Sequence, residues 1–349
     1  MPSVTPLRSI LAALGLAALL SACAEPPPPA PPPTAPPPPP PPAVSLSPRV
    51  IEQAAAYRRY MAMASEISPA FADGSAVAQG LKTGVAYEPP QLLRGAIAYG
   101  AVAALQDPTF VAEVRAFVVN PEQRRSVAAA IIRDPAYAIG INGSAGAAGL
   151  VQSALAEDGR RLLVQGRAVK QAAYDVQRAA WSKRDVEAHA ARLAAAKQLS
   201  ATPLLPETAE AARLQQAVQS TGSLGLTASP ASPPYTAVVT RALAVAALSA
   251  LGQATDENLA QVMPILAEPG AASCLNMSKL NLYQCLAVSK PHYEDVFCLG
   301  QHVMMDTGMC VIKGAGVAVP DDPLLAARIA AAAAEAAAKP PPRRPARKR

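Results

Sequence analysis

Residues 274–310 read CLNMSKLNLYQCLAVSKPHYEDVFCLGQHVMMDTGMC and hold four cysteines, Cys274, Cys285, Cys298 and Cys310. The segment Ser278–Val288 has apolar residues at helical spacing, Ser289-Lys290-Pro291 is a turn, and His292–Met305 is again helical up to Asp306-Thr307-Gly308. Four cysteines allow three pairings. Partners within one helix would lie about 16 to 18 Å apart, beyond disulfide reach, which removes Cys274 with Cys285 and Cys298 with Cys310. Crossed pairs need parallel helices, and a three-residue turn forbids those. The nested pairs, Cys274–Cys310 and Cys285–Cys298, share nearly the same midpoint in sequence, as antiparallel partners require. The expected unit is a disulfide-stapled helical hairpin.

Working outward, the rest of the chain also reads as helix. Of its 349 residues 51% are hydrophobic but only 4% aromatic, and alanine supplies much of the apolar share, so the core is one of small side chains on helices. Ser47-Pro48 starts a first helix, with Val50, Ala54, Tyr57, Met61 and Ala64 on one face. A second covers Gln91–Leu105. Asp107-Pro108, Asn120-Pro121 and Asp134-Pro135 each place a capping side chain before a proline and mark three more starts. Gly140–Gly149, GINGSAGAAG, lacks both phosphate-loop patterns and suits close packing. The proline-free Leu150–Ser200 is the longest expected helix, with Gly159 and Gly166 as break points and with Trp181 and His189 on it. Tyr235–Leu251 is a buried core helix, too short to span a bilayer. Asp321-Asp322-Pro323 caps a last helix, Leu324–Ala338. The fold class is all-α, a multi-helix body with the stapled hairpin near its C-terminal end.

The start of the chain supplies an address. Arg8 precedes the apolar run Ile10–Leu20, the layout of a secretory signal. The following Leu20-Ser21-Ala22-Cys23 resembles the lipobox of bacterial lipoproteins, which implies cleavage before Cys23 and lipidation of that residue, palmitate included. Ala24, rather than Asp, implies the outer membrane with a body probing the periplasm. Such a compartment is oxidising, and cysteines there pair. Pro26–Pro42 contains only Pro, Ala and Thr and reads as a polyproline II spacer of roughly 50 Å.

The expected organisation is then 1–22 signal peptide, 23–46 lipidated cysteine and spacer, 47–200 helical body, 201–234 linker or long loop, 235–338 C-terminal helical region, and 339–349 basic tail. That tail carries Lys339, Arg343, Arg344, Arg347, Lys348 and Arg349 without an acid. Setting those six and Arg8 aside leaves 24 basic residues against 25 acidic, so the excess of +6 belongs to the ends. The tail suits an anionic envelope polymer, and nucleic acid is not an expected partner outside the cytoplasm.

Catalytic patterns are scarce. The three histidines, His189, His292 and His302, form no H-E-x-x-H, and there is no G-x-S-x-G. Glu294-Asp295 is an adjacent carboxylate pair, but sequence neighbours point to different sides of a helix. Cys298 and His302, with Met304, Met305 and Met309 nearby, resemble soft metal ligands, yet oxidised cysteines are not thiolate donors and no C-x-x-C is present. No cofactor is called for. The expectation is a non-enzymatic, lipid-anchored envelope protein with a structural or interaction role and an envelope protein partner. A periplasmic hydrolase of cell-wall material and a metal-handling lipoprotein are the alternatives.

Overall fold

The computed structural model describes residues 42–322 and positions 326, 327, 330, 331 and 334. The signal peptide, Cys23, the spacer up to residue 41, most of the last expected helix and the basic tail lie outside the described residues. The chain divides after Pro40, and every described residue belongs to the second unit. Among the described residues there are thirteen α-helices and no strand, only two isolated bridges. The fold is all-α.

The proline-marked starts behave as their chemistry requires. α1 (Pro48–Ser65) is capped by Ser47, whose Oγ accepts from the Arg49 N–H at 3.2 Å. Asp107 caps α4 (Pro108–Ala116) through the Phe110 N–H at 2.8 Å. Asn120 caps α5 (Pro121–Arg133) through Glu122 and Gln123. Asp134 caps a 3-10 turn, Pro135–Gly140, through Ala136 at 2.9 Å. In each case the side chain satisfies backbone N–H groups that the helix leaves without partners. The centre is formed by α1, α3 (Pro89–Ala104) and α9 (Ala237–Ala250). Their contact is built from alanines, among them Ala54, Ala98, Ala101, Ala242 and Ala246, all fully buried. α9 is the expected core helix, and α2 (Gly74–Gly84) lies to one side of α1.

α6 (Ser144–Asp175) is the longest helix, 32 residues, and it passes straight through both glycines expected to break it. A Cβ at Gly159 would sit 2.8 Å from Gly308 O, and one at Gly166 2.8 Å from Met305 N. These glycines let the C-terminal hairpin lie directly on the α6 backbone, so they are packing sites, not breaks. α6 instead stops at Asp175, short of Ser200. Trp181 and His189 are therefore not on it: Trp181 falls in a strap of successive turns, and His189 begins a separate helix, α7 (His189–Ser200).

The stretch 201–234, expected as a linker, is fastened to the body. It contains α8 (Thr208–Val218), whose Leu214, Ala217 and Val218 are buried, and α8 packs on α1. Gln91 bonds both the N–H and the C=O of Leu204 at 2.8 Å, and Ala231 N–H donates to Ala145 O at 2.9 Å. Buried backbone needs such partners. The last spacer residues are likewise part of the body: Ser45 N–H donates to Ser249 O at 3.1 Å, and Arg115 donates to Pro42 O at 3.1 Å.

After the short α10 (Leu259–Val262), the hairpin consists of α11 (Pro269–Val288) and a returning arm of α12 (His292–Cys298), a π segment (Leu299–Met305) and α13 (Asp306–Gly314). Both nested disulfides are present, Cys274–Cys310 and Cys285–Cys298, each with Cα atoms 5.8 Å apart. The arm does not end at Asp306, and the π segment explains its register. Each α-helical residue turns the chain by about 100°, so cysteines eleven apart on α11 return to one face, whereas those twelve apart on the arm would diverge by about 120°. A π turn holds more residues and rotates less per residue. Seven residues of it carry Cys310 back towards the face occupied by Cys298.

Candidate functional site

An apolar concavity opens between α2 and α7, with the hairpin tip as its floor. Its volume is about 620 Å³. Ala78 and Leu81 of α2 with Val85 at its C-cap form one wall, and Ala191, Ala195 and Leu199 of α7 the other. These are positions three or four apart, so each helix turns one stripe of small or branched apolar residues into the cleft. Leu286, His292 and Asp295 close the floor, and Lys82 and Glu187 stand exposed at the mouth.

The strap between α6 and α7 holds the cleft in place through the hairpin tip. Val186 N–H donates to Lys290 O at 2.8 Å, His292 N–H to Arg184 O at 3.2 Å, and Tyr293 N–H to Ser182 O at 3.2 Å. The His189 ring nitrogen Nε2 is hydrogen-bonded to Ser289 O at 2.7 Å. Where the strap turns into α7, Ala188 adopts φ 52° beside the cleft, a left-handed conformation costing an L residue about 1 kcal/mol.

The floor holds a buried ion pair. Arg192 of α7 donates to Asp295 Oδ1 of α12, and its Nη2 donates to Leu286 O at 2.6 Å. Ser289 Oγ donates to the same Oδ1 at 2.9 Å. Asp295 is only 2% exposed, and burial pushes its carboxyl up in spite of Arg192. Arg192 Nε–H is buried without an acceptor. Behind the wall, Lys279 donates to Val85 O at 2.7 Å and Ser200 Oγ at 3.0 Å, with its Nζ 3.5 Å from the centre of the Tyr87 ring. Burial holds this amine well below its ordinary range.

A second concavity, about 520 Å³, lies between α1 and α6 and is charged. Arg58 and Arg161 both donate to the buried Asp158, and Arg58 stacks over the Tyr99 ring at 4.8 Å. Glu210 and Arg213 of α8 extend the network, and their bond holds the Glu210 carboxyl low. Every cation here faces a carboxylate, so the network fastens α8 and α6 to α1.

Of the residues singled out in the sequence, His292 and Asp295 meet at the cleft floor, and the others are dispersed. Glu294 accepts from the Lys290 N–H at 2.9 Å while Asp295 turns inward to Arg192, so the two carboxylates do not converge. Cys298 is bonded to Cys285, and His302 Nδ1 lies 2.9 Å from Asp306 Oδ2. Met304 and Met305 are buried, and Met309 packs beside Leu163 and Ile312. His292 packs its ring against Gly74 and faces Trp181 at 6.2 Å. Arg192, Lys279 and Asp158 had no signal in the sequence beyond being charges in apolar helices. Among the described residues no helix is long and apolar enough to cross a membrane. Neither family models, nor curated proteins, nor solved structures show a match to this chain.

Proposed function

We propose that the protein is a lipid-anchored cell-envelope protein whose helical body acts by binding, in a structural or interaction role. The observation that carries this reading is the pair of nested disulfides, Cys274–Cys310 and Cys285–Cys298, which belong to an oxidising compartment. Together with the lipobox-like Leu20-Ser21-Ala22-Cys23 they favour an outer-membrane anchor at Cys23, a polyproline spacer, and a body presented to the periplasm. The six cations of the tail add a contact to an anionic envelope polymer, and the body meets an envelope protein partner.

The test is metabolic labelling with an alkyne palmitate analogue in a bacterial host. The full chain takes up label and fractionates with outer membranes, and Cys23→Ser loses both properties. Equal labelling of the two chains would sink the anchor.

A further inference from the structure

The cleft between α2 and α7 is wide, apolar and built on a polar floor, the combination that small-molecule sites share. We propose that it binds a small uncharged amphiphile, an apolar body ending in a hydroxyl or carboxamide, with that end seated on Arg192 and Asp295. The inference rests only on the binding part of the function proposed above and is independent of the lipid anchor.

Three observations select the ligand. First, the walls are apolar side chains of two helices with room of about 620 Å³ between them, so the body of the ligand is apolar. Second, charge is balanced at both levels: Arg192 with Asp295 on the floor, and Lys82 with Glu187 at the mouth. An ionised head placed on a compensated floor would be desolvated without a counter-charge, which an uncharged head avoids. Third, the floor is left with complementary hydrogen-bonding capacity. Arg192 Nε–H has no acceptor, and only Oδ1 of Asp295 is engaged, leaving Oδ2 without a donor among the described residues. A hydroxyl or carboxamide supplies both a donor and an acceptor; a carboxylate supplies no donor and an ammonium no acceptor.

The experiment uses the full mature chain and N-phenyl-1-naphthylamine, a probe whose emission rises in apolar surroundings. Decanol, decanamide, decanoate and decylamine compete for the probe. The expected order places decanol and decanamide at least about tenfold tighter than the two charged analogues. Ala195→Trp, a change at an exposed position of the wall, fills the cleft and is expected to abolish competition while leaving the circular dichroism and melting temperature unchanged. Val164→Trp, on the far side of α6, leaves binding intact. Absence of probe binding, insensitivity to Ala195→Trp, or preference for decanoate or decylamine would each overturn the proposal. Cys23→Ser behaves as the parent here, so loss of the anchor and loss of the ligand are read separately.

Discussion

The centre of the body and its hairpin end are held together by different physics. At the centre, α1, α3 and α9 meet through alanines and glycines, with helix axes drawn close and dispersion contacts supplying the cohesion. At the hairpin end, α7 and α11–α13 are joined by two disulfides, a buried ion pair and a buried lysine. The first region tolerates no added volume. The second tolerates volume at its open cleft but no loss of a partner. The covalent and charged links there add to the close glycine contacts that seat the hairpin on α6.

The largest effect expected from breaking this contrast is at Arg192. Arg192→Met leaves Asp295 buried without its partner and should cost about 4 kcal/mol, read from chemical denaturation; the double change with Asp295→Leu should recover much of that loss. Removing the inner staple as Cys285→Ser with Cys298→Ser releases a loop with a sequence separation of 13 and should cost about 3 kcal/mol. Its effect should concentrate in amide exchange around Leu286–Asp295. In the centre, a Cβ at Gly95 would lie 2.5 Å from Gln53 O on α1. Gly95→Ala should therefore lose about 2 kcal/mol in a melting experiment despite the better helix propensity of alanine. The same change at the exposed Gly140, where a Cβ meets nothing, should be neutral.

The same buried groups give a pH dependence. Burial holds Lys279 low, so the folded chain binds fewer protons than the unfolded one until the unfolded amine titrates near about pH 10.4. Stability therefore rises with pH through this window and is lost as pH falls through the folded value, by at most about 1.4 kcal/mol per pH unit for one proton. Tyr57, Tyr60 and Tyr87 are pushed up by burial, Tyr87 to about 12. Above about pH 10 the unfolded tyrosines ionise while the folded ones do not, and stability falls again. Lys279→Met should flatten the rising arm and leave the falling one.

Local chemistry made much of the fold legible. The Asp-Pro and Asn-Pro pairs mark helix starts because both the cap and the fixed φ act within a few residues. The nested cysteines could be paired because a short turn leaves one geometry. The end of α6 was hidden: nothing between Asp175 and His189 breaks a helix, and the strap is held by main-chain bonds to Lys290, His292 and Tyr293, about a hundred residues away in sequence. α8 was masked by prolines on either side. The π segment leaves no residue signature, only a misfit between cysteine spacing and helical period. The cleft was illegible for a related reason. Its alanine stripes look like core stripes, and Arg192 and Asp295 are 103 residues apart.

The nesting of the two disulfides also implies an order of assembly. The inner pair closes a short loop across the Ser289-Lys290-Pro291 turn and needs little of the hairpin to be in place. The outer pair, separated by 36 residues, requires both arms to be formed and the π segment wound. Loop closure costs less entropy for the shorter span, so oxidation should zip from the tip outward. Acid-trapped intermediates during oxidative refolding should carry Cys285–Cys298 first; early accumulation of Cys274–Cys310 alone would reverse that order. The tip that forms first is the same segment that floors the cleft, so that floor is laid down before the staple that completes the hairpin.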